Sequence, residues 1–140
     1  PIHVYIRYEI EKEIFNNKIQ FKDIHHLWNK YYKQFLDIDI PNDTVGVLQD
    51  IHWYEGIFGY FPTYAIGAMI SSQIKFSCPE YQSFIDNVSV ESIRNVTDWL
   101  KNNLHQKASL YSSDEMLQVI SGEPLNSSYF LRHLNNRFIR

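Results

Sequence analysis

Gln49, Asp50, His52, Tyr60 and Tyr64 bring an amide, a carboxylate, an imidazole and two phenols into one short stretch near the middle of this 140-residue chain. An imidazole and a phenol can both donate hydrogen bonds to a carbonyl oxygen that is gaining negative charge. Neither activates water as strongly as a metal ion does. The stretch runs Gly46-Val47-Leu48-Gln49-Asp50-Ile51-His52-Trp53 and then Gly59-Tyr60-Phe61-Pro62-Thr63-Tyr64. Polar atoms among so many aromatics are costly unless paired. Two readings stand at this level. Either His52 and a tyrosine point into a cleft as donors, or this is a packed loop whose Asp50 satisfies local N–H groups.

Other chemistry is sparse. There is no His-Glu-x-x-His, no Cys-x-x-Cys and no phosphate-binding glycine loop. His25 and His26 are adjacent, so on a helix they diverge by about 100° and are poorly placed to share a metal. His105 and His133 are isolated and read as surface or packing residues. His3 and Arg7, four apart, share a helix face and suit either a cleft or a structural role. A single cysteine, Cys78, excludes a disulfide within the chain and suits a reducing, cytoplasmic setting. The net charge of −3 and scattered lysines and arginines give no nucleic-acid or anionic-membrane footprint. No apolar stretch approaches a bilayer span, and there is no signal-peptide pattern.

The elements that must position these residues read as helices. Ile2, Ile6, Ile10 and Ile14 recur every fourth residue, which lines one helix face, while Glu9, Glu11, Lys12 and Glu13 fall mostly off that stripe. Asn16-Asn17 weakens the helix. Ile24, Leu27, Trp28, Tyr31 and Phe35 predict a second helix over 23–36, with Asp23 at its cap or first turn. Pro41-Asn42-Asp43 signals a turn. Residues 44–61 show no clean period and predict a compact glycine- and aromatic-rich loop with possible short strands. Pro62 favours a helix start, and a largely apolar helix follows to about Ile74, its small residues permitting close approach of a neighbour. Beyond the break at Cys78-Pro79-Glu80, helices are predicted near 80–87 and over 89–106. Ser112 and Glu115 have capping-box spacing for another, which stops near Gly122, and Asn126 is placed to cap a last one. The fold class expected is all-α or mainly α, in one helical domain or part of one.

With these elements in place, GVLQDIHW (46–53) matches the Gly-x-x-Gln-Asp-x-His-Trp signature of the carboxypeptidase Taq family of metallocarboxypeptidases. FGYFPTYAIG (58–67) resembles the segment that follows it in that family. HVYIRYEIEKEIF (3–15) is similar to the family helix just after its Ile-Arg-x-x-Ala-Asp motif, and HHLWNKYYKQFLDI (25–38) to the next helix. SGEPLNSSYFLRHL (121–134) resembles the family C-terminus. The five matches fall in order and span nearly the whole chain.

The resemblance implies a mostly helical, long-cleft enzyme, usually homodimeric. Its zinc is held by the two histidines of His-Glu-x-x-His and a downstream glutamate, and it removes residues from peptide C-termini with broad preference. Those ligand motifs match nothing in residues 1–140. The chain, opening at Pro1 inside a periodic segment, is therefore expected to be the C-terminal helical portion of such an enzyme, with its zinc segment upstream and no zinc of its own. By the same resemblance His52 is the histidine that reaches into the cleft beside the metal. One of Tyr60 and Tyr64 stabilises the tetrahedral oxyanion, and Gln49 and Asp50 support the site from behind. The reading from a different class is a stand-alone helical interaction module without catalysis.

Overall fold

The computed structural model describes residues 1–107 and 109–139. It divides into two compact units, Pro1–Ile66 and Gly67–Arg140, with the boundary inside one helix. The fold is helical, and no strand forms among the described residues. The short strands considered for residues 44–61 are replaced by two 3-10 turns, Asp43–Val45 and Val47–Gln49. The N–H groups of Gly46, Gln49 and Asp50 bond to carbonyls three residues back, at 3.0–3.1 Å. Donors consumed locally are lost to any ladder.

In the first unit α1 (Ile2–Phe15) lies against α2 (Ile24–Leu36). Ile6, Ile10 and Ile14 are buried with Ile24, Trp28 and Tyr32 in one cluster, whereas Ile2 stays exposed. Truncating a fully buried isoleucine to alanine typically costs about 2–5 kcal/mol, so this cluster makes a firm base for whatever α1 carries. Glu11 departs from the sequence expectation: it is buried rather than solvated. α1 ends at the asparagine pair, with Asn17 in the left-handed region at φ 57°. Asp23 sits in a 3-10 turn ahead of α2, where its carboxylate accepts the Gln20 N–H at 3.3 Å.

Gly46 is required by close approach. A Cβ there would lie 2.7 Å from Ile40 Cγ2 and 3.1 Å from the Asn42 carbonyl oxygen. The missing side chain lets the two 3-10 turns stack back on this segment and fixes where Asp50 emerges. Gly56 and Gly59 serve a different need, since both adopt positive φ (69° and 72°) in the turn that follows.

α3 (Phe61–Ser77) begins at buried Phe61, with Pro62 in its first turn. A Cβ added at Gly67 would meet nothing within 4 Å, so the close approach expected of its small residues is not seen there. In the second unit, α4 (Tyr81–Asp86) and α5 (Val90–Asn103) follow the break at Cys78. Ser89 and Ser92 cap α5 reciprocally, at 2.9 and 3.1 Å. α6 (Ser113–Ser121) carries the Ser112–Glu115 capping box and stops at Gly122, φ 81°. The N-cap of α7 (Ser128–Phe138) is Ser127 rather than Asn126; Asn126, one residue earlier, accepts the Ser128 N–H at 2.9 Å. Gln73, within the α3 run read as apolar, is fully buried and satisfied. Its amide nitrogen donates to Ser121 Oγ and to the Glu123 and Pro124 carbonyls, while its oxygen accepts the Asn126 N–H. One side chain thereby holds the α6–α7 connection.

Candidate functional site

The site grows from buried Asp50, 3 % exposed, at the exit of the second 3-10 turn. Its Oδ1 accepts two hydrogen bonds from His52, from the backbone N–H at 2.9 Å and from ring Nδ1 at 3.0 Å. Its Oδ2 accepts the Arg7 Nε–H, which makes a salt bridge between α1 and the loop. Arg7 is boxed in further. Its guanidinium carbon lies 4.7 Å from the Trp28 ring centroid and 5.7 Å from that of Phe61. Its Nη1 donates to the His3 carbonyl and to Tyr32 Oη. His3 bonds the same phenol through Nδ1 at 2.9 Å, and burial, followed by the Arg7 charge, holds its imidazole below the usual histidine range.

His52 is thus oriented from behind. With an ionised carboxylate on Nδ1, the neutral imidazole carries its proton there and presents Nε2 as an acceptor. Nε2 lies 3.0 Å from Tyr64 Oη, on the first turn of α3. In the neutral form Tyr64 donates to His52; when the imidazole is protonated, Nε2–H donates outward instead. The Tyr60 ring stacks near that of His52, with centroids 6.2 Å apart, and meets Tyr64 edge-on at 5.3 Å. Both phenols are about half exposed. Tyr60 Oη has no hydrogen-bond partner among the described residues.

The backbone of 51–57 is closed by its own bonds, among them Ile57 N–H to the His52 carbonyl at 2.8 Å. It is tied to α1 by Glu11, whose carboxylate accepts from Trp53 Nε1 at 3.1 Å and from the Gly59 N–H at 3.0 Å.

Asp50, His52, Tyr60 and Tyr64 are therefore brought together. Gln49 sits apart, its amide donating to the Thr44 carbonyl at 2.5 Å, where it closes the 3-10 turns. Both readings of Asp50 meet in one residue, since it satisfies a local N–H and also orients the imidazole. Sequence reasoning overlooked Glu11 and left Arg7 undecided. The available signal was their spacing: both border the isoleucine stripe one turn apart, where an ionisable group is half-committed to the interior. Among the described residues no three His, Cys, Asp or Glu side chains converge as a metal site, and no helix is long and apolar enough to cross a membrane.

Within a helical scaffold the chain presents an Asp-oriented histidine beside two phenols, and comparison with known proteins gives its family. The family model for carboxypeptidase Taq (M32) metallopeptidases matches residues 1–138, so the chain belongs to that family. Carboxypeptidase 1 of Bacillus subtilis is 36% identical over 99% of this chain, and thermostable carboxypeptidase 1 of Pyrococcus furiosus 31% over 98%. Metallocarboxypeptidase 1 of Trypanosoma cruzi has a solved structure that superposes with a TM-score of 0.88 at 34% identity, covering 100% of this chain and 29% of its own. The chain spans about 28% of the length of the curated relatives it matches. Among the described residues no group of side chains fits the metal that the family implies.

Proposed function

We propose that this chain is the C-terminal helical portion of a zinc-dependent carboxypeptidase and supplies the substrate-facing hydrogen-bond donors rather than the metal ligands. The observation that carries this reading is the Arg7–Asp50–His52–Tyr64 relay, which ends at an exposed edge where Tyr60 and Tyr64 meet. The metal, held by ligands outside these residues, supplies Lewis acidity. Tyr60, and with His52 protonated also His52 Nε2–H and the Tyr64 hydroxyl, face the scissile carbonyl and donate to its oxygen as charge builds there; in the neutral form Tyr64 donates to His52 instead. Such donors act most strongly on the developing anion, which lowers the barrier rather than merely tightening binding. Peptides of varied C-terminal residue are the substrates, and the full-length enzyme is a cytoplasmic homodimer.

Exposed apolar residues support the view that more chain belongs with this one. Ile51 and Tyr54, which flank His52 and Trp53 in sequence, are each 67% exposed. Single exposed apolar residues are ordinary, but two beside His52 and Trp53 fit a partly uncovered surface. The test compares the 140-residue chain with the full-length protein on a blocked dipeptide. The full-length protein is expected to release the C-terminal residue, with about one zinc per subunit. The isolated chain is expected to release none, to hold little zinc and to bind a hydrophobic dye. Zinc-dependent release by the isolated chain at a comparable rate would defeat the reading.

A further inference from the structure

We infer that Glu11 is a positioning residue that sets the geometry between His52 and Tyr60, an inference that rests on the reading of those two as substrate-facing. Glu11 stands on α1, is only 4% exposed, and accepts from two donors of the loop, Trp53 Nε1–H and Gly59 N–H. Trp53 directly follows His52, and Gly59 directly precedes Tyr60. One carboxylate therefore grips the loop beside both functional side chains and closes residues 53–59 between its two oxygens. Gly59 holds φ 72°, which aims its N–H inward at Glu11 while the chain turns to present Tyr60.

The chemistry calls for a carboxylate. Two N–H donors converge, and only an ionised carboxylate offers an acceptor to each without presenting a hydrogen of its own. A glutamine would satisfy one donor and set an NH2 group against the other. A buried carboxylate without a cation is costly unless well bonded, and here both bonds go to the loop. The grip is transmitted to a rigid base. Ile10 and Ile14 flank Glu11 on α1 and are locked in the helix-pair core, and Arg7, one turn earlier, holds Asp50 on the other side of His52. The loop is thereby fixed to one helix before and after the histidine. Donor placement matters because small misplacements of catalytic groups cost disproportionately in rate.

The experiment uses the full-length protein and measures kcat, KM and metal content for Glu11→Gln, Trp53→Phe, the double variant and His52→Gln. Glu11→Gln is expected to lower kcat about tenfold or more, with KM and zinc content near wild type. Trp53→Phe removes one donor, so in the double variant the glutamine oxygen serves Gly59 unopposed. The double variant is expected to recover part of the activity lost in Glu11→Gln, a rescue that a merely stabilising residue would not show. Should Glu11→Gln fail to fold, Trp53→Phe alone reads the same contact through a kcat loss at unchanged KM. If His52→Gln loses turnover while Glu11→Gln and Trp53→Phe keep it, the positioning role is overturned and the substrate-facing reading survives. If His52→Gln itself keeps full turnover, that reading fails and takes this inference with it.

Discussion

Phenylalanine in place of Tyr60 or of Tyr64 in the full-length enzyme is expected to lower kcat about a hundredfold with little change in KM. The substitution removes only a hydroxyl, and loss of one preorganised donor to a developing oxyanion typically costs about 3 kcal/mol. The two variants are not equivalent inside the chain. Tyr60 Oη makes no bond among the described residues, so Tyr60→Phe leaves the His52 relay intact and reports on the proposed substrate contact alone. Tyr64→Phe also strips Nε2 of His52 of its partner and frees the ring to rock about the Asp50 bond. Tyr64→Phe should therefore combine a lost donor with a less fixed imidazole. Steady-state kinetics on a blocked dipeptide checks both, and full turnover in both variants would return the tyrosines to packing roles.

Asp50→Asn carries the second large effect, on stability as well as rate. The aspartate receives donors on both oxygens, two N–H groups of His52 on one and Arg7 on the other. An asparagine has one acceptor and one NH2. If its oxygen serves His52, its NH2 faces the guanidinium; if flipped, it faces the His52 backbone N–H and drives Nδ1 into the acceptor tautomer. Removing one partner of a largely buried ion pair costs about 3–5 kcal/mol, and the lower end applies because Arg7 keeps partial solvent access and its stacking on Trp28. A wrong or unfixed tautomer behind a catalytic imidazole lowers turnover by about two to four orders of magnitude. The denaturant midpoint and kcat should fall together. A variant with wild-type midpoint and turnover would show that the Arg7–Asp50–His52 chain does no work.

Periodicity made the helices legible. The isoleucine stripe placed α1, Ile24 and Trp28 marked the buried side of α2, and the Ser112–Glu115 spacing and Gly122 bounded α6. The loop was recognisable as anomalous from glycines among aromatics, but its form was not. Alternation is absent there, and a strand and a pair of 3-10 turns differ in which donors bond locally. The candidate donors were named from motif and residue type, yet the groups that aim them were not. Arg7 and Asp50 lie 43 residues apart, and Glu11 and Gly59 lie 48 apart. No local pattern encodes a pairing over such distances. Gln73 escaped notice for the same reason, since it reads as one polar interruption in an apolar helix until the end of α6 and the α6–α7 connection close over it.

The most direct test of the account is turnover and zinc content measured on one preparation of the full-length His52→Gln variant. His52 bonds through Nδ1 to Asp50 and through Nε2 to Tyr64, and the proposed role is that of a donor to the substrate rather than a metal ligand. The kcat is expected to fall about a hundredfold or more, with zinc staying near one per subunit. Loss of the zinc, or wild-type turnover with zinc retained, would contradict it.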